Sequence, residues 1–322
     1  MRTPISYAVV TPIFEDTEAA TCLVKELRDV LGDGAYLIAV DDGSIRHPVK
    51  PDMISSAGLR GVVLRLKRNV GHQRAIAVGL SFVAETMPGR PCIVLDSDGE
   101  DIPATISELT CRLASADIDV AVAQRQSREE TLKFKAFYVL YRLLFRLLTG
   151  RSISFGNFMA MKPAALRRLA VMEELGTHVA SAVLLSKLRI ALCPIDRGRR
   201  YAGQSKMNFA SLVLHGIRAL MIFTEDVLVR TGIMCVIVAL LSVAGIVASI
   251  LLKSFGYATP GWFSVALGIL IIVLLQTGAL TLTVLLLTGV TRGKLISANY
   301  NILIDQVIEA HTNANIENAY RI

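Results

Sequence analysis

Two long stretches without charged residues near the C-terminus constrain this chain more than any other feature. Residues 231–252 contain no Asp, Glu, Lys or Arg, and residues 254–291 contain none either. Since about 20 apolar residues suffice to cross a bilayer as a helix, each stretch is expected to form a transmembrane helix. Lys253 and a short turn separate them, which predicts a hairpin. The composition agrees, because 53% hydrophobic residues and 19% charged residues are too apolar for an ordinary soluble protein.

Basic residues lie outside the hairpin rather than between its spans. Arg218 and Arg230 precede the first span, and Arg292 and Lys294 follow the second. Positive residues collect on the cytoplasmic side of a membrane. The protein is therefore expected to be a two-span protein of the cytoplasmic (inner) membrane, with both termini cytoplasmic. The N-terminal residues lack the apolar stretch and cleavage site of a signal peptide, so export is not expected.

The net charge of +7 indicates an anionic partner. Anionic lipid and phosphorylated substrates are favoured over nucleic acid, because the basic residues gather near the predicted membrane face. The five cysteines are isolated in the sequence, which favours free thiols over a disulfide framework or a zinc cluster.

The first 123 residues alternate short β-rich runs with amphipathic helical patterns, which is typical of a parallel sheet with helical crossovers. A first helix is expected from Asp16 or Thr17 to a stop at Gly32. Further helices are predicted at residues 72–84 and 103–114, and strands at residues 7–11, 36–40, 62–66, 92–95 and 120–123.

Two later segments have the amphipathic pattern of helices that lie at a membrane surface. Residues 131–148 combine an aromatic stripe with basic residues, and residues 209–228 lead towards the first span. These patterns divide the chain into an α/β domain, an interfacial segment, a transmembrane hairpin and a cytoplasmic tail. The predicted boundaries are 1–208, 209–230, 231–291 and 292–322.

Polar residues directly follow four of the predicted strands, and ligands of open α/β sheets bind at the carboxyl ends of strands. Asp96 and Asp98 come after the fourth strand, two positions apart, so in extended geometry both carboxylates face one point. Mg²⁺ is usually held by one or two carboxylates together with substrate phosphates. The pair therefore predicts a Mg²⁺ or Mn²⁺ site that takes a nucleoside-diphosphate substrate.

An ordered set of motifs resembles the family 2 inverting glycosyltransferases. Together with the paired C-terminal spans, the set is similar to the polyprenyl-phosphate branch, which includes dolichol-phosphate mannose synthases and bactoprenol glucosyltransferases. The resemblance covers essentially the whole chain and is looser after Leu295. The motifs are Val9-Val10-Thr11-Pro12 with Glu15, Val40-Asp41-Asp42-Gly43-Ser44, Asn69-Val70-Gly71-His72, Asp96-Ser97-Asp98 followed by Pro103, and Gln204-Ser205-Lys206.

The resemblance implies an α/β fold, namely a GT-A-type Rossmann-like domain with interfacial helices followed by two transmembrane α-helices. It implies metal-dependent, inverting transfer of a sugar from a UDP- or GDP-linked donor to a polyprenyl phosphate, with Mg²⁺ or Mn²⁺ as cofactor. The implied donor-binding residues are Pro12, Glu15, Asp41, Asp42, Ser44, Asn69 and Asp96. The implied metal ligands are Asp96, Asp98 and Glu100, and the implied catalytic residues are Asp98, Arg125, Asn157, Arg200 and Lys206.

Two of these positions depart from the family pattern. Glu100 stands where the family often has Gln, and adds negative charge beside the phosphates. Asn157 stands where relatives usually have an Asp proposed as general base, and an amide is a poor proton acceptor. A phosphate monoester with a second pKa of about 6 is largely ionised near neutral pH, so the acceptor can react without a base. Among the histidines, His72 could approach the donor or serve only as a surface or capping residue, and the other four have no predicted role.

Four alternative functions have to be considered. A processive polysaccharide synthase is disfavoured because the only tryptophan, Trp262, lies in the membrane part, where no Gln-x-x-Arg-Trp motif can form. A non-catalytic membrane scaffold is motivated by Asn157, and a soluble nucleotidyltransferase with an anchor leaves the aromatic helix unexplained. A glycosyltransferase with another lipid or glycan acceptor, and a homo-oligomer, are also compatible with the sequence.

Overall fold

The polypeptide alternates strands and helices up to residue 195, continues with helices to residue 291, and has a further strand at residues 304–310. The computed structural model describes residues 6–125, 132–201, 209–257, 259, 261–291 and 300–310. The strands are β1 (Tyr7–Ile13), β2 (Ala35–Asp41), β3 (Arg60–Leu66), β4 (Cys92–Val94), β5 (Val120–Arg125), β6 (Met159–Met161), β7 (Ile190–Ile195) and β8 (Ile304–Ala310). The helices are α1 (Thr17–Leu31), α2 (Asp52–Ser56), α3 (His72–Thr86), α4 (Ile106–Leu113), α5 (Leu132–Thr149), α6 (Pro163–Ala170), α7 (Val179–Leu185), α8 (Phe209–Met221), α9 (Thr224–Ser254) and α10 (Trp262–Thr291).

These elements divide between two compact units. The first unit comprises Met1–Lys135, Ile153–Ile222 and Ser297–Ile322, and therefore holds all the described strands. The second unit comprises Ala136–Ser152 and Phe223–Ile296, which includes most of α5 and both long C-terminal helices.

A single mixed sheet organises the first unit. Its order is β7-β5-β6-β4-β1-β2-β3-β8. Strands β3, β2, β1 and β4 run parallel, whereas β6 is antiparallel to both β4 and β5, and β8 is antiparallel to β3. The chain order reverses between β1 and β4, which creates the kind of crevice in which open α/β sheets bind ligands.

Helices cover both faces of this sheet, so its inner strands are buried on both sides. Val10 and the strand residues on the same face of the sheet pack with α3, α6 and α7. Val9 and the strand residues on the opposite face pack with α1 and α4. This explains why the first strand contains the consecutive apolar residues 8–10 rather than an alternating pattern. The predicted α/β class is confirmed.

All five predicted strands form, with ends shifted by at most two residues. Helix α1 ends at Leu31 as predicted, because Gly32 has a φ of 57° that an ordinary side chain rarely adopts. The predicted helix at 103–114 begins as a 3₁₀ turn over Pro103–Thr105 and becomes α-helical at Ile106. Strands β6, β7 and β8 were not predicted.

Strand β8 belongs to the segment that the sequence analysis assigned to a C-terminal tail. It pairs with β3 over residues 304–310 and forms that end of the sheet. Tyr300, just before it, accepts a hydrogen bond from Gly176 N (2.9 Å), and its hydroxyl lies 2.8 Å from the Glu173 carbonyl oxygen. Leu303 O accepts from Lys67 N at 3.1 Å. Residues 300–310 are therefore an integral part of the first unit.

The interfacial segment predicted at 209–230 is not one continuous helix. Helix α8 ends at Met221, and α9 begins at Thr224. Glu225 and Asp226 lie in the first turn of α9, where acidic side chains stabilise a helix N-terminus. The start of the long helix thus precedes the uncharged stretch by seven residues.

The second unit contains two helices long and apolar enough to cross a membrane. Their hydropathic segments are Thr224–Ser254 and Trp262–Leu287, with mean hydropathies of 2.9 and 2.5. The two helices pack against each other, and the predicted turn lies between them in the sequence. Within the same unit, Phe145 of α5 is buried and meets the Phe223 ring edge-on, with centroids 5.7 Å apart. The two helices agree with the predicted hairpin.

Candidate active site

The site lies at the carboxyl ends of β1, β2 and β4. Leu95 N donates to Val10 O at 3.2 Å, and Asp42 N donates to Ile13 O at 2.9 Å, so the loops after the three strands start side by side. The polar residues predicted to bind the donor follow these strands, on both sides of the point where the sheet order reverses. The fold therefore brings most of the predicted set to one edge.

Glu15 supports the loop that follows β2. Its carboxylate accepts hydrogen bonds from the backbone amides of Ile45, Arg46 and His47 at 2.7 to 3.0 Å, and its own amide donates to Ser44 Oγ at 2.9 Å. The backbone amides of Arg46 and Ile45 lower the pKa of Glu15. The backbone of Glu15 has a φ of 47°, which is uncommon outside glycine. These hydrogen bonds hold it in that conformation.

Asp41 and Asp42 are buried and bind backbone amides. Asp41 accepts from Ser44 N and Val49 N, both at 3.0 Å, and so closes the loop after β2. Asp42 accepts from Val70 N at 2.7 Å and from Gly71 N at 3.0 Å, which links that loop to the one after β3.

Burial raises the pKa of Asp42 despite these two hydrogen bonds. Gly43 allows the two loops to approach, because a Cβ there would lie 2.5 Å from the backbone carbon of Arg68. Both aspartates hold together the loops at which the nucleoside pocket is predicted.

The acidic loop after β4 is a turn rather than an extension of the strand. Strand β4 ends at Val94, and Ser97 and Asp98 lie in the turn. Asp101, which is buried, accepts from Asp96 N at 2.9 Å, and Asp98 Oδ1 accepts from Glu100 N at 3.0 Å. The expectation that strand alternation aligns Asp96 with Asp98 was therefore wrong in its geometry, because the turn now sets their positions.

Two arginines that follow β7 contact this acidic loop. Arg200 donates from Nη2 to Asp98 Oδ2 at 2.8 Å and from Nε to Glu100 Oε1 at 2.9 Å. Arg197 forms an ion pair with the other oxygen of Glu100. Burial lowers the pKa of Arg197, whereas the charge of Asp98 raises it. Arg197 was not among the predicted residues, although three arginines at 197, 199 and 200 were visible in the sequence.

The carboxylates of Asp98 and Glu100 fit a bound cation by their chemistry. Both are hard oxygen donors, and both already contact the same guanidinium group, that of Arg200. A divalent ion at that point would meet the same oxygens. No group of three His, Cys, Asp or Glu side chains has the arrangement of a metal centre within the part of the chain that the structure describes. The oxygens of Asp98 and Glu100 face arginines instead.

A polar chain connects the acidic loop to the start of α7. His72 Nε2 lies 3.1 Å from Asp96 Oδ1 and 3.1 Å from Asn157 Nδ2. Gln73 Nε2 donates to Asn157 Oδ1 at 3.3 Å, and Gln73 Oε1 accepts from Val179 N at 2.7 Å. Because a backbone N–H can only donate, Val179 fixes the orientation of the Gln73 amide. Gln73 in turn directs the Nδ2 group of Asn157 towards His72.

Burial alone would lower the pKa of His72, but the charge and hydrogen bond of Asp96, with the charges of Asp101 and Asp98, raise it overall. His72 was predicted to approach the donor or to serve as a surface or capping residue, and it lies against the acidic loop. Gln73 was missed, since an isolated glutamine at a helix start carries no sequence signal.

Two other histidines, which were given no role, form a pair in the same unit. His178 Nδ1 accepts from Ser181 N at 3.1 Å, and its Nε2 lies 3.1 Å from Nε2 of His215 on α8. Burial, followed by the charge of His215, lowers the pKa of His178 to about 3. The neutral His178 therefore carries its proton on Nε2 and donates it to His215, which attaches α8 to the start of α7.

The remaining predicted residues lie at different places. Pro12 is buried within β1, and Asn69 is exposed in the loop after β3. Arg125 is the last residue of β5. Lys206, with Gln204 and Ser205, falls outside the described residues.

Comparison with known proteins gives the chain a family. Residues 9–176 match the family described as glycosyl transferase family 2. An undecaprenyl-phosphate 4-deoxy-4-formamido-L-arabinose transferase from Enterobacter sp. (strain 638) is 27% identical over 217 residues, which cover 64% of this chain and 64% of that protein, or just under two thirds of its length. The protein of the same description from Klebsiella pneumoniae is 26% identical over 266 residues, covering 79% of this chain and 78% of its own.

A solved structure of a mycobacterial protein shares the fold, with a TM-score of 0.50 and 14% identity over 70% of this chain and 76% of that one. The matched residues run from β1 to the 3₁₀ turn before α7 and include the loops that carry Asp42, Asp98 and Asn157. The mixed sheet, the acidic loop after β4 and the family match agree, and the chain belongs to the family 2 glycosyltransferases.

Proposed function

We propose that this glycosyltransferase moves a sugar from a nucleoside-diphosphate donor to a polyprenyl phosphate at the cytoplasmic face of the membrane, with inversion at the anomeric carbon. The observation that carries the proposal is the acidic loop after β4, which meets two arginines at the point where the sheet order reverses. Carboxylates and guanidinium groups side by side suit a substrate that arrives as a metal diphosphate.

Asp96, Asp98 and Glu100 would hold Mg²⁺ or Mn²⁺, which screens the diphosphate and stabilises it as it leaves. Glu15, Asp41, Asp42, Ser44 and Asn69, with Pro12, would form the nucleoside pocket. In this pocket Asp41 and Asp42 keep the loops in place through their backbone hydrogen bonds. Arg125, Arg200 and Lys206 would face the phosphates.

The proposed acceptor follows from the relatives and from the membrane hairpin. Two relatives are undecaprenyl-phosphate sugar transferases by name. Residues 300–310 share a sheet with residues 7–195, so the chain has to return to the side of the membrane from which it left. Two crossings meet this condition and a single crossing does not. The basic residues at both ends of the hairpin favour the cytoplasm as that side.

Transfer without an Asp at position 157 is chemically reasonable. The acceptor phosphate, with a second pKa of about 6, is already mostly a dianion at neutral pH. The protein then has to bring two anions together and align them, which cations and positioning groups accomplish. Asn157, held by Gln73, is suited to donate a hydrogen bond from Nδ2 to an incoming oxygen.

The test uses full-length protein purified in detergent with Mg²⁺ or Mn²⁺, a C55 polyprenyl phosphate and a panel of radiolabelled UDP- and GDP-sugars. Formation of a labelled lipid with one donor supports the proposal, and Asp98→Ala should abolish it. Ser107→Ala is a suitable control, since this exposed hydroxyl on α4 bonds only the Ala104 carbonyl among the described residues.

If no donor labels the lipid while a related transferase does so under the same conditions, the proposal is refuted. The scaffold hypothesis, which Asn157 motivates, would then be favoured. If the label is transferred to a different lipid or to a glycan instead, the proposed donor site is supported and the proposed polyprenyl phosphate acceptor is refuted.

A further inference from the structure

The segment that follows β7 is attached to the acidic loop by its backbone as well as by its arginines. Gly198 N donates to Glu100 O, and Tyr201 N donates to Asp98 O, both at 2.9 Å. The Tyr201 ring packs over Gly99, where a Cβ would lie 2.7 Å from the ring. Gly99 has a φ of 89°, so a side chain there would meet both strain and a clash. The ion pairs of Arg197 and Arg200 therefore lie on a defined scaffold.

Glu100 has a different arginine at each oxygen. Arg200 Nε contacts Oε1, and Arg197 contacts Oε2. The Glu100 side chain is 14% exposed and that of Arg197 is 35% exposed, so water screens this pair less than an ordinary surface pair. A carboxylate in a partly buried acidic loop needs such a counter-charge, because an uncompensated charge there would be costly.

The same oxygens cannot serve two cations equally well. A divalent ion that coordinates Glu100 competes with the guanidinium groups for its lone pairs, and it also repels them. A metal diphosphate brings anionic oxygens to the same place, and these provide a new partner for a displaced arginine. Glu100 and Arg197 also line one small cavity together with Asp196, and the Arg197 side chain is 35% exposed, so its outer part is open to solvent.

We propose that Arg197 is a resident counter-ion of Glu100 that yields its place to the divalent metal and then binds the donor diphosphate. This inference rests on the proposed function, since it assumes a metal–diphosphate donor. It gives Arg197 two opposing effects. Before the donor binds, Arg197 weakens the binding of free metal ions. Once the diphosphate is present, Arg197 strengthens the binding of the metal–nucleotide complex.

The experiment measures Mn²⁺ binding directly, by electron paramagnetic resonance of the free ion, on full-length protein in detergent. Arg197→Gln is compared with wild type and with Arg199→Gln, which removes the same charge from the same segment. Arg199 is exposed and forms no ion pair with the described residues. With Mn²⁺ alone, Arg197→Gln should bind about five- to tenfold more tightly, as expected for one partly screened charge. With Mn²⁺ and UDP or GDP, it should bind the nucleotide complex about tenfold more weakly.

Opposite signs in the two measurements are the result that supports the proposal. If Arg197→Gln binds Mn²⁺ alone like Arg199→Gln, or if both affinities fall together as from a distorted loop, the proposal is overturned. Arg197→Lys keeps the charge and should stay near wild type for Mn²⁺ alone, which separates charge from folding. Mn²⁺ binding that is equal in all variants refutes this inference only. No Mn²⁺ binding by any protein, with or without nucleotide, refutes the proposed metal dependence as well.

Discussion

Replacing Gln73 with leucine tests whether the orientation of Asn157 matters for transfer. Gln73 is 7% exposed, and it is the link between the Asn157 amide and the first backbone N–H of α7. Leucine has a similar size and fills the space, but it can neither accept from Val179 N nor donate to Asn157. The substitution therefore removes both hydrogen bonds without opening a large cavity.

The expected loss of stability follows from the Val179 amide. This residue is fully buried, and its 2.7 Å hydrogen bond to Gln73 has no evident replacement in an apolar side chain. An unsatisfied buried donor costs about 1–3 kcal/mol. For a unit of this size, each kcal/mol of lost stability lowers the Tm by roughly 2–4 °C. Gln306→Leu is the matched control, at an exposed glutamine of β8 that accepts a long hydrogen bond (3.4 Å) from Arg65, and it should change the Tm much less.

Gln73→Glu tests positioning while it keeps an acceptor for Val179 N. An ionised carboxylate at a position that is 7% exposed is costly without a cation beside it, so the Tm should fall at least as far as in Gln73→Leu. The new carboxylate can still accept from Val179 N. It cannot donate to Asn157 Oδ1, however, and two oxygens at 3.3 Å would repel each other. The Asn157 amide should then turn, so that its oxygen rather than its Nδ2 group faces His72.

We expect kcat for sugar transfer to fall about tenfold in this variant, or about 1.4 kcal/mol in the barrier, with little change in KM for the donor. The assay compares initial rates of lipid labelling with thermal unfolding of the same samples. Wild-type turnover by Gln73→Glu, measured below its Tm and per folded molecule, would refute the argument that Gln73 sets the orientation of Asn157.

Three further predictions concern other parts of the first unit and the hairpin. Tyr300→Phe should destabilise the protein by about 1–3 kcal/mol in thermal unfolding, because its hydroxyl binds two backbone groups, whereas Tyr257→Phe, at a ring that is 78% exposed, should not. An unchanged Tm in Tyr300→Phe would contradict this. His178 has a pKa lowered to about 3 by burial and the neighbouring histidine, so the unfolded chain binds a proton between about pH 6.5 and 3 that the folded chain does not. Stability should therefore be complete above pH 6.5 and fall as the pH decreases, by at most about 1.4 kcal/mol per pH unit. His178→Gln should flatten that dependence in melts from pH 7.5 to 5.5, and an equally steep profile would sink the assignment. Asn157→Asp should change kcat less than tenfold if the acceptor phosphate needs no base, whereas a larger rate gain would show that this chain lacks one.

The sequence predicted the parallel part of the sheet well because its signals are local. Continuous apolar runs such as 8–10 and 36–40 are the pattern of strands buried on both faces, and Gly32 marks a helix end by its backbone alone. Polar residues after these strands also indicated which edge of the sheet would carry the site. These features depend only on neighbouring residues.

The elements that were missed depend on distant partners. Strand β6 has three residues, and β7 contains Pro194, which is tolerated because β7 is an edge strand. Strand β8 follows two membrane helices and pairs with a strand some 240 residues earlier. No local pattern indicates such pairings.

The candidate site shows the same difference between features with a local sequence signal and features that depend on distant contacts. Asp96 and Asp98 were predicted from an acidic pair that follows a strand, and Glu100 was added by the family resemblance. The arginines that contact Asp98 and Glu100 lie about 100 residues later, after β7. The roles of Gln73 and of the His178 pair arise from contacts that join three helices. Single residues of this kind carry no periodicity and no motif.

The position of β8 also has a consequence for the order in which the protein is made. Domains fold largely from the N-terminus during synthesis, but residues 304–310 leave the ribosome only after both apolar helices have been synthesised. Until then the edge of β3 has unpaired backbone groups, which is the kind of edge that pairs with other chains. Lys67, beside the predicted nucleoside loop, also lacks its contacts with Ile302 and Leu303 at that stage. Synthesis of both apolar helices therefore precedes completion of the sheet, and a chain that ends after α10 would retain an open edge next to the proposed donor site.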